Sequence, residues 1–534
     1  MQKIETNPYL ESVLEATPRL LTQLNRNPLA HTYGSFDRAY WHFRTNMTQS
    51  ARYQEATLTL ALLYVHDFEG NIYHHNNQIL EWINASLTYT ASIQRADGSF
   101  DEWYPYEGSY VATAFVSAAL AETVRIISKE KISNYASIET MLKKSGAWLL
   151  HHTENSAWNQ LAGGMLALER IGQLFGEQKF KTGAYTQATR IKNYQSKEGW
   201  WPEYGGPDIG YLSLMIDYLA KYIESSTDTR LLPELTRSTT FITYFLHPNF
   251  TTGGEYGSRN TEYLIPSGFS ILAPNDQNAS LVASFIETSL LQNIGIHPKT
   301  LDDRYLCYIL YNWLEAGLHH QAPNQTIAEY IQNRRFDIFF PESGIRALQN
   351  NAYYFVTNLK KGGPFRLYTK HNIYIDSGIE CTVNELRLTS NTINIGYATK
   401  QDTTTLEVSG YLKHAQMRPL GTLSGISLII FQYTFGRLPW MQKLIKKIFR
   451  SLLITSPKKS TVPFRRTITL HEDFITTQDV IEASIPLKKP IVGKKTSYAL
   501  IPSAQYFTPQ DITPTHEHAI THEHSRTIIK RHLA

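Results

Sequence analysis

The sequence has few of the features expected of a secreted, membrane-spanning or zinc-binding protein. Its 534 residues include two cysteines, Cys307 and Cys381, too few for a disulfide framework or a four-ligand zinc site. It has no run of about 18 apolar residues, so we expect no segment to span a membrane. The N-terminal segment lacks the apolar core of a secretory signal, which predicts a cytoplasmic location.

Charge is also scarce. Charged residues make up 18% of the chain, and the formal net charge is +4. Nucleic-acid binding needs a clustered basic face, so we expect no nucleic-acid partner. The sequence contains no Walker loop, no Gly-rich dinucleotide motif and no strong Ser–His–Asp or zinc signature. It therefore predicts no cofactor and no metal, whereas its 42% apolar content is typical of a large folded core.

Aromatic residues are plentiful, with 33 Tyr, 23 Phe and 9 Trp. Most of them are expected in the core, but exposed ones are suited to stacking on sugar rings. Up to about residue 335, apolar positions recur at helical spacing in several segments of ten or more residues. These segments are residues 56–65, 111–127, 161–175 and 211–223.

Three loops in this helical part share a pattern of glycine, an aromatic residue and an acidic–aromatic pair. They span residues 97–104, 198–206 and 253–259. The second loop follows the first by 101 residues, and the acidic residue of the third follows that of the second by 52. A unit of about 50 residues is typical of a repeated helical hairpin. Stacked hairpins predict an α/α toroid whose loops line one cleft, although ordinary Gly-rich turns would also explain the pattern.

Past about residue 340 the pattern becomes that of strands. Thr, Val, Ile and Tyr alternate with polar residues in segments such as 353–358, 386–397, 404–411 and 467–470. We therefore predict an α+β multidomain chain. Residues 1–335 would form an incomplete (α/α) toroid, and residues 336–534 an antiparallel β-sandwich.

Two segments of the second half stand apart. Residues 440–453 place apolar side chains on one helical face with Lys and Arg between them. Such a helix either packs on the sandwich or makes a peripheral contact with the inner face of an anionic membrane. The His-rich tail, residues 516–524, is either solvated or binds a metal.

Candidate site residues cluster in two of the loops and at the start of the helix that follows residue 158. Asn159 suits a hydrogen bond to a substrate carboxylate, although it, Asn155 or Ser156 would also suit a helix cap. Tyr204 and Tyr211 flank a Gly- and Pro-rich loop. A tyrosine titrates near 10, so it needs a nearby cation to act as a base, and Arg259 would supply one.

The order of Asn159, Tyr211 52 residues later, and then a β-sandwich resembles the heparinase II/III-like polysaccharide lyases and related alginate lyases. These enzymes cleave uronate polysaccharides by β-elimination. The resemblance implies that Asn159 binds the uronate carboxylate and that Tyr211 acts as acid or base. We add Tyr204 as a second catalytic candidate. As substrate-binding candidates we take Arg259, Tyr256, Glu203, Gln160 and Trp103.

The sequence departs from that family at its histidines. Gln160 stands where many members have a histidine, and residues 368–378 retain His371 and Asp376 but not the His-x-His-x-Asp motif. Other functions therefore stay open: a uronate C5-epimerase, or a non-catalytic glycan-binding protein of surface-polysaccharide assembly. A glycoside hydrolase is a further alternative, because its two carboxylates could come from several loop residues. These are Asp97, Asp101, Glu102, Glu203, Asp208 and Glu255.

Overall fold

The computed structural model describes residues 4–321, 326–383, 386–393, 396–415, 422–438, 441, 459–483, 488–492, 519–523 and 526–534. Helices occupy the first part of the chain, up to Asn333. They are α1 (Pro8–Gln23), α2 (Arg38–Trp41), α3 (Ala56–Val65), α4 (Asn77–Ser92), α5 (Tyr110–Ile126), α6 (Tyr135–His151), α7 (Trp158–Phe175), α8 (Gln178–Tyr194), α9 (Ile209–Ser226), α10 (Leu232–Thr243), α11 (Ser267–Leu272), α12 (Gln277–Leu291), α13 (Asp303–Leu318) and α14 (Ile327–Asn333).

Alternate helices form an inner ring. Within it α3, α5, α7, α9, α11 and α13 each pack on the next, and α13 packs on α3. Helices α4, α6, α8, α10 and α12 pack outside it, together with α1. The predicted toroid is confirmed, and α13 at the end of the series packs on α3 at its start.

Burial explains which helices are inner and which are outer. Helix α3 buries every residue from Ala56 to Tyr64, so it is apolar all round, as an inner helix must be. Helix α8 buries a single stripe, Phe180, Ala184, Ala188 and Ile191, which is the pattern of an outer helix.

Two glycines let α5 and α7 approach closely. A Cβ atom on Gly163 would lie 2.3 Å from a ring carbon of Phe115, and one on Gly164 would lie 2.4 Å from the hydroxyl of Tyr110. Larger residues here would push the helices apart. The glycines therefore fix the first turn of α7, which carries Asn159, against α5.

Strands begin at Phe336, three residues after α14 ends. The first sheet is antiparallel, with the order β1-β2-β3-β4-β5. The second has the order β12-β6-β7-β9-β10-β11-β14-β13, with β8 paired to β9. The strands are β1 (Phe336–Phe340), β2 (Ile345–Gln349), β3 (Tyr353–Asn358), β4 (Phe365–Thr369), β5 (Ile373–Asp376), β6 (Ile379–Val383), β7 (Leu386–Thr389), β8 (Ala398–Gln401), β9 (Thr405–His414), β10 (Lys459–Leu470), β11 (Ile475–Glu482), β12 (Lys488–Val492), β13 (Ala519–Glu523) and β14 (Arg526–Leu533).

The first sheet lies between the toroid and the second sheet. In β3, Tyr354 and Val356 pack into the core of the toroid, whereas Tyr353 and Phe355 pack with residues of the second sheet such as Ile468. Because side chains alternate along a strand, one sheet serves both layers. The β-sandwich is thereby confirmed, whereas the division into two domains at residue 335 stays a prediction.

One further helix, α15 (Thr422–Tyr433), lies between β9 and β10. Apart from Met441, the basic segment 440–453 lies outside the described residues, as do residues 516–518 and His524 of the His-rich tail. Residues 519–523 of the tail form β13. Among the residues described, no helix is both long enough and apolar enough to cross a membrane.

Candidate functional site

The loops that precede the inner helices adjoin one another at one end of the toroid. An isolated β-bridge joins Ala157, just before α7, to Glu203. The backbone N–H of Gly210, at the start of α9, donates to the hydroxyl of Thr261, 2.8 Å away. At the start of α13, Arg304 lies 3.4 Å from the carboxylate of Glu102 in the loop before α5. The loops that were predicted to line one cleft therefore do lie next to one another at this end of the toroid.

Hydrogen bonds to backbone groups of the Glu203 loop, made within the loop and with neighbouring loops, hold it in place. The N–H of Glu203 donates to the carbonyl of Gly206 at 2.8 Å, and the N–H of Tyr204 donates to the carbonyl of Ser156 at 2.8 Å. The hydroxyl of Ser258 donates to the Glu203 carbonyl at 2.7 Å. Tyr204 has a positive φ of 52°, unusual for a residue with a side chain. A strained, tightly bonded turn of this kind is typical of a functional loop.

Asn159 and Glu203 meet in a small pocket. The Asn159 side-chain amide donates a hydrogen bond to Glu203 Oε2 at 2.6 Å, and both side chains are buried. Asn159 lies in the first turn of α7, and no side chain caps that helix, so the alternative that Asn159 is a cap is wrong. The pocket is lined by Trp158, Asn159, Trp201, Pro202, Glu203, Tyr211, Leu212 and Met215.

Burial controls the protonation of Glu203. It raises the pKa of the carboxyl well above its usual range, and Asp208 and Glu154 raise it further. Arg259 and the hydrogen bond from Asn159 lower the pKa, but they do not offset the burial. Burial therefore favours the protonated form of the Glu203 carboxyl, which lies beside the Asn159 amide.

Tyr211 enters the same pocket from α9. The Asp208 carboxylate caps α9 by accepting the backbone N–H of Tyr211 at 3.2 Å. The Tyr211 ring meets the edge of Tyr263, with 6.3 Å between their centroids. Burial, with smaller effects of Tyr305 and Tyr263, raises the pKa of the Tyr211 hydroxyl well above 10, and Arg259 lowers it only in part. At neutral pH the hydroxyl is thus protonated and able to donate.

Arg259 brings a positive charge to this loop cluster. Its backbone N–H donates to Asp208 Oδ2 at 2.9 Å, and its guanidinium carbon lies 5.0 Å from the centre of the Tyr204 ring. Within the described part of the chain, its Nε atom makes no hydrogen bond. The predicted pairing of a cation with a tyrosine is thus present for Tyr204.

The loop that carries Arg259 is fastened to the first sheet by two buried cations that sequence reasoning missed. Lys361 donates to the carbonyls of Glu255 (2.8 Å) and Gly257 (2.5 Å), and to the side chain of Asn260. Arg366 pairs with Glu255 at 2.8 Å and also with Glu262. Burial lowers the pKa of Lys361 to about 7. The β half of the chain therefore positions a loop of the toroid.

Of the predicted site residues, Tyr204, Arg259, Tyr256, Gln160 and Trp103 do not line the described pocket. Tyr256 is completely buried, and its hydroxyl lies 3.0 Å from Nε2 of His247, so the structure does not place it where a ligand would reach it. Gln160 is half-buried on α7 and does not line the pocket. Trp103 is 61% exposed and lies against Arg304, with 4.0 Å from the guanidinium carbon to the ring centre.

No histidine is among the described residues that line the pocket. His371 lies in the turn between β4 and β5. Among the described residues, no group of three or more His, Cys, Asp or Glu side chains is placed to hold a metal ion.

No protein-family model matches the sequence, and no curated protein matches it. Solved structures do match. A chondroitin AC lyase from Streptomyces coelicolor A3, in complex with chondroitin sulphate, is 11% identical; the match covers 90% of this chain and 68% of that chain, with a TM-score of 0.56.

Two other structures match less well. A variant of a heparan sulfate lyase from Pedobacter heparinus is 10% identical, with a TM-score of 0.40 and coverage of 90% of this chain and 70% of that chain. A β-L-arabinofuranosidase from Geobacillus stearothermophilus T6 is 10% identical, with a TM-score of 0.35 and coverage of 89% and 91%.

The chain thus has the toroid-plus-β-sandwich fold of polysaccharide lyases, as its resemblance to the heparinase II/III-like enzymes predicts. At such low identity the similarity describes the fold and not the chemistry.

Proposed function

We propose that this protein acts on an acidic, uronate-containing polysaccharide by β-elimination. The observation that carries the proposal is the single pocket in which the Asn159 amide, the neutral Glu203 carboxyl and the Tyr211 hydroxyl meet. Tyr204 follows Glu203 in the same loop, and the Arg259 guanidinium carbon lies 5.0 Å from the centre of the Tyr204 ring. An amide, a neutral acid and a phenol are the groups that carboxylate neutralisation and proton transfer require.

The first requirement is to neutralise the uronate carboxylate, because its charge opposes removal of the C5 proton. A second carboxylate entering the pocket raises the pKa of Glu203 further, since like charges disfavour ionisation. Glu203 then donates its proton in a hydrogen bond to the uronate, and Asn159 donates a second hydrogen bond. Both bonds strengthen as negative charge develops on the enolate.

Proton transfer follows from the two tyrosines. As the base we assign Tyr204 in its phenolate form, whose ring centre lies 5.0 Å from the Arg259 guanidinium carbon; it takes the C5 proton. The electron pair of the C5–H bond forms the C4–C5 double bond as the C4–O4 bond breaks. Tyr211, protonated in the free protein, gives its proton to the departing O4 oxygen. The products are a new chain end and an unsaturated uronate.

The acidic residues of the loops argue against hydrolysis, which needs two carboxyl groups facing the substrate. Asp101 accepts the backbone N–H groups of Tyr106 and Gly108, both at 2.9 Å. Asp208 caps α9, and Glu255 is paired with Arg366. Glu203 alone among the alternatives named for a hydrolase lines the described pocket.

The test is to incubate the purified chain with a panel of uronate polysaccharides and to follow ultraviolet absorbance, reducing ends and C5 exchange in deuterated water. We expect absorbance to rise together with reducing ends. Reducing ends without absorbance would indicate hydrolysis, and exchange without absorbance would indicate epimerisation. Binding with none of these signals would indicate a glycan-binding protein.

The variant Asn159→Ala tests the pocket directly. We expect it to lower the rate about 10²- to 10³-fold, as loss of one hydrogen-bond donor to a developing oxyanion does. Asn155→Ala is the matched control, because Asn155 is exposed four residues earlier and should leave the rate unchanged. Equal rates for the two variants would exclude the proposed role of Asn159.

A further inference from the structure

The helix α15 and the turn that follows it expose an unusual number of large apolar side chains. Leu423 is 82% exposed, Ile430 58% and Phe435 61%. Elsewhere in the described chain, exposed apolar residues of this size are scattered. A continuous apolar surface on a folded protein marks a place where another apolar phase binds. The surface consists of Leu423, Ile426, Ile429, Ile430, Tyr433, Phe435 and Leu438.

The sequence around this surface is positively charged. Between Glu407 and Glu472 it contains eleven Lys and Arg residues and no Asp or Glu; Arg466, one of the eleven, is buried and paired with Asp376 and Asp479. Arg437 lies within the surface itself. The whole chain carries a net charge of only +4, so the positive charge is concentrated in this segment.

The surface also lies beside the loops of the cleft. The ring of Tyr433 meets the edge of Tyr106 at 6.5 Å between centroids, and the Arg437 guanidinium carbon lies 5.3 Å from the centre of the Tyr106 ring. Tyr106 belongs to the same loop as the exposed Trp103. Whatever binds α15 is therefore held next to the rim of the candidate site.

We propose that the surface from Leu423 to Leu438 docks on an anionic lipid bilayer. Apolar side chains in a segment that contains Lys and Arg but no Asp or Glu are the combination that anionic membrane surfaces bind. The helix has 12 residues, whereas a span needs about 20, so it lies in the interface. A second copy of the chain is a poorer partner, because two such positive segments repel each other. This inference does not depend on the proposed reaction.

The test uses the full chain and two kinds of vesicle, pure phosphatidylcholine and phosphatidylcholine mixed with phosphatidylglycerol. We expect the chain to sediment with the mixed vesicles and to be released by high salt, which screens the charges. Sedimentation with neither kind of vesicle would overturn the proposal. Equal binding to both would overturn the role of the positive charge.

Charge substitutions identify the surface. We expect Leu423→Glu combined with Ile430→Glu to weaken binding at least about tenfold, since two apolar side chains no longer enter the bilayer. Leu29→Glu is the matched control, because Leu29 is 92% exposed at the other end of the chain, and it should bind as the wild type does. The double variant and the Leu29→Glu control should unfold at the same temperature. If Leu29→Glu weakened vesicle binding as much as the double variant does, the assignment of this surface would be overturned. It would also be overturned if the wild type formed a dimer that the double variant does not form.

Discussion

Buried charged side chains occur in both the β-sandwich and the cleft, but their surroundings differ. In the sandwich, Arg466 lies 2.6 Å from Asp479 and 2.8 Å from Asp376, and Arg531 lies 2.5 Å from the other oxygen of Asp376. Burial alone would raise the pKa of Asp376, but the two arginines hold it below its usual range. Every charge in this network faces an opposite charge, so the network is built for stability.

In the cleft, burial is not offset in this way. The Glu203 carboxyl is bonded to the neutral amide of Asn159, and its pKa stays well above the usual range. It also faces a pocket, whereas Arg466 is fully enclosed. The comparison teaches that burial of a charged residue does not by itself mark a site. A buried acid that stays neutral and faces a pocket does.

The variant expected to distinguish the cleft from the β-sandwich most strongly is Tyr211→Phe, which should lower the rate but not the stability. Removing the hydroxyl removes the proton donor, and we expect the rate to fall about 10²- to 10⁴-fold. The unfolding temperature should stay within a few degrees of the wild type. The control is Tyr222→Phe, which removes a hydroxyl farther along α9 and should keep full activity. A Tyr211→Phe enzyme with normal turnover would exclude Tyr211 from the chemistry.

Arg466→Met, in the β-sandwich, is expected to lower stability and to leave the rate unchanged. It leaves two buried carboxylates short of a partner, and we expect a loss of about 3–5 kcal/mol in the free energy of unfolding. Activity per folded molecule should be unchanged. Arg465→Met is the control, since Arg465 is the neighbouring residue on β10 and is exposed. Denaturant unfolding measures both variants, and similar values for the two would show that the network contributes little.

Lys361→Met should affect both regions, because Lys361 belongs to the β half but holds the loop of Arg259. We expect a loss of about 1–3 kcal/mol in unfolding free energy for the carbonyls left unpaired. Because the loop then moves, the Michaelis constant should also rise. The adjacent Lys360→Met is the control for the kinetic measurement, because Lys360 is half-buried and donates to the carbonyls of Pro341 and Glu342 rather than to the Arg259 loop. Lower stability with unchanged kinetics would mean that the loop keeps its position without Lys361.

The smallest effect on rate is expected for Glu203→Gln, whose amide donates the same hydrogen bond as a neutral acid. We expect the rate at neutral pH to stay within about tenfold. Wild-type activity should fall as pH rises through the pKa of Glu203, and the variant should lose that dependence. A loss of 10²-fold or more would instead make Glu203 the base.

Stability provides an independent measure of the same group. Below pH 4.5 the Glu203 carboxyl is protonated in both the folded and the unfolded chain. Above it the unfolded chain ionises first, because the folded pKa is raised. The wild-type free energy of unfolding should therefore decline with pH relative to Glu203→Gln. Parallel curves would contradict the raised pKa.

Local patterns were sufficient to predict much of the fold. Helical periodicity located α3, α5, α7 and α9, and the first three of these begin about 50 residues before the next, as the loop spacing predicts. The strand over 386–397 was predicted too long, since β7 ends at Thr389. The hydrogen bond from the Ser390 N–H to the Ile379 carbonyl lies at the end of the pairing between β7 and β6.

Local patterns also bring together part of the candidate pocket, whose role stays a prediction. Asn159, Glu203 and Tyr211 stand in loops or first turns with a recognisable pattern, and they do meet. Lys361 and Arg366 could not be found in this way, because they reach back about 100 residues to the loop that they hold. Tyr256 shares the loop pattern, but the first sheet covers it, and no local signal reports that contact.

The parallel arrangement of the inner helices has an electrostatic consequence. The starts of α5, α7, α9 and α13 lie at the same end of the toroid, and each helix start carries a partial positive charge. Their fields add at the mouth of the cleft, although the chain as a whole is nearly neutral. Under the proposed function, this field adds to the positive charge of the α15 segment beside the cleft and assists the approach of a polyanionic substrate. Its association rate should fall as ionic strength rises.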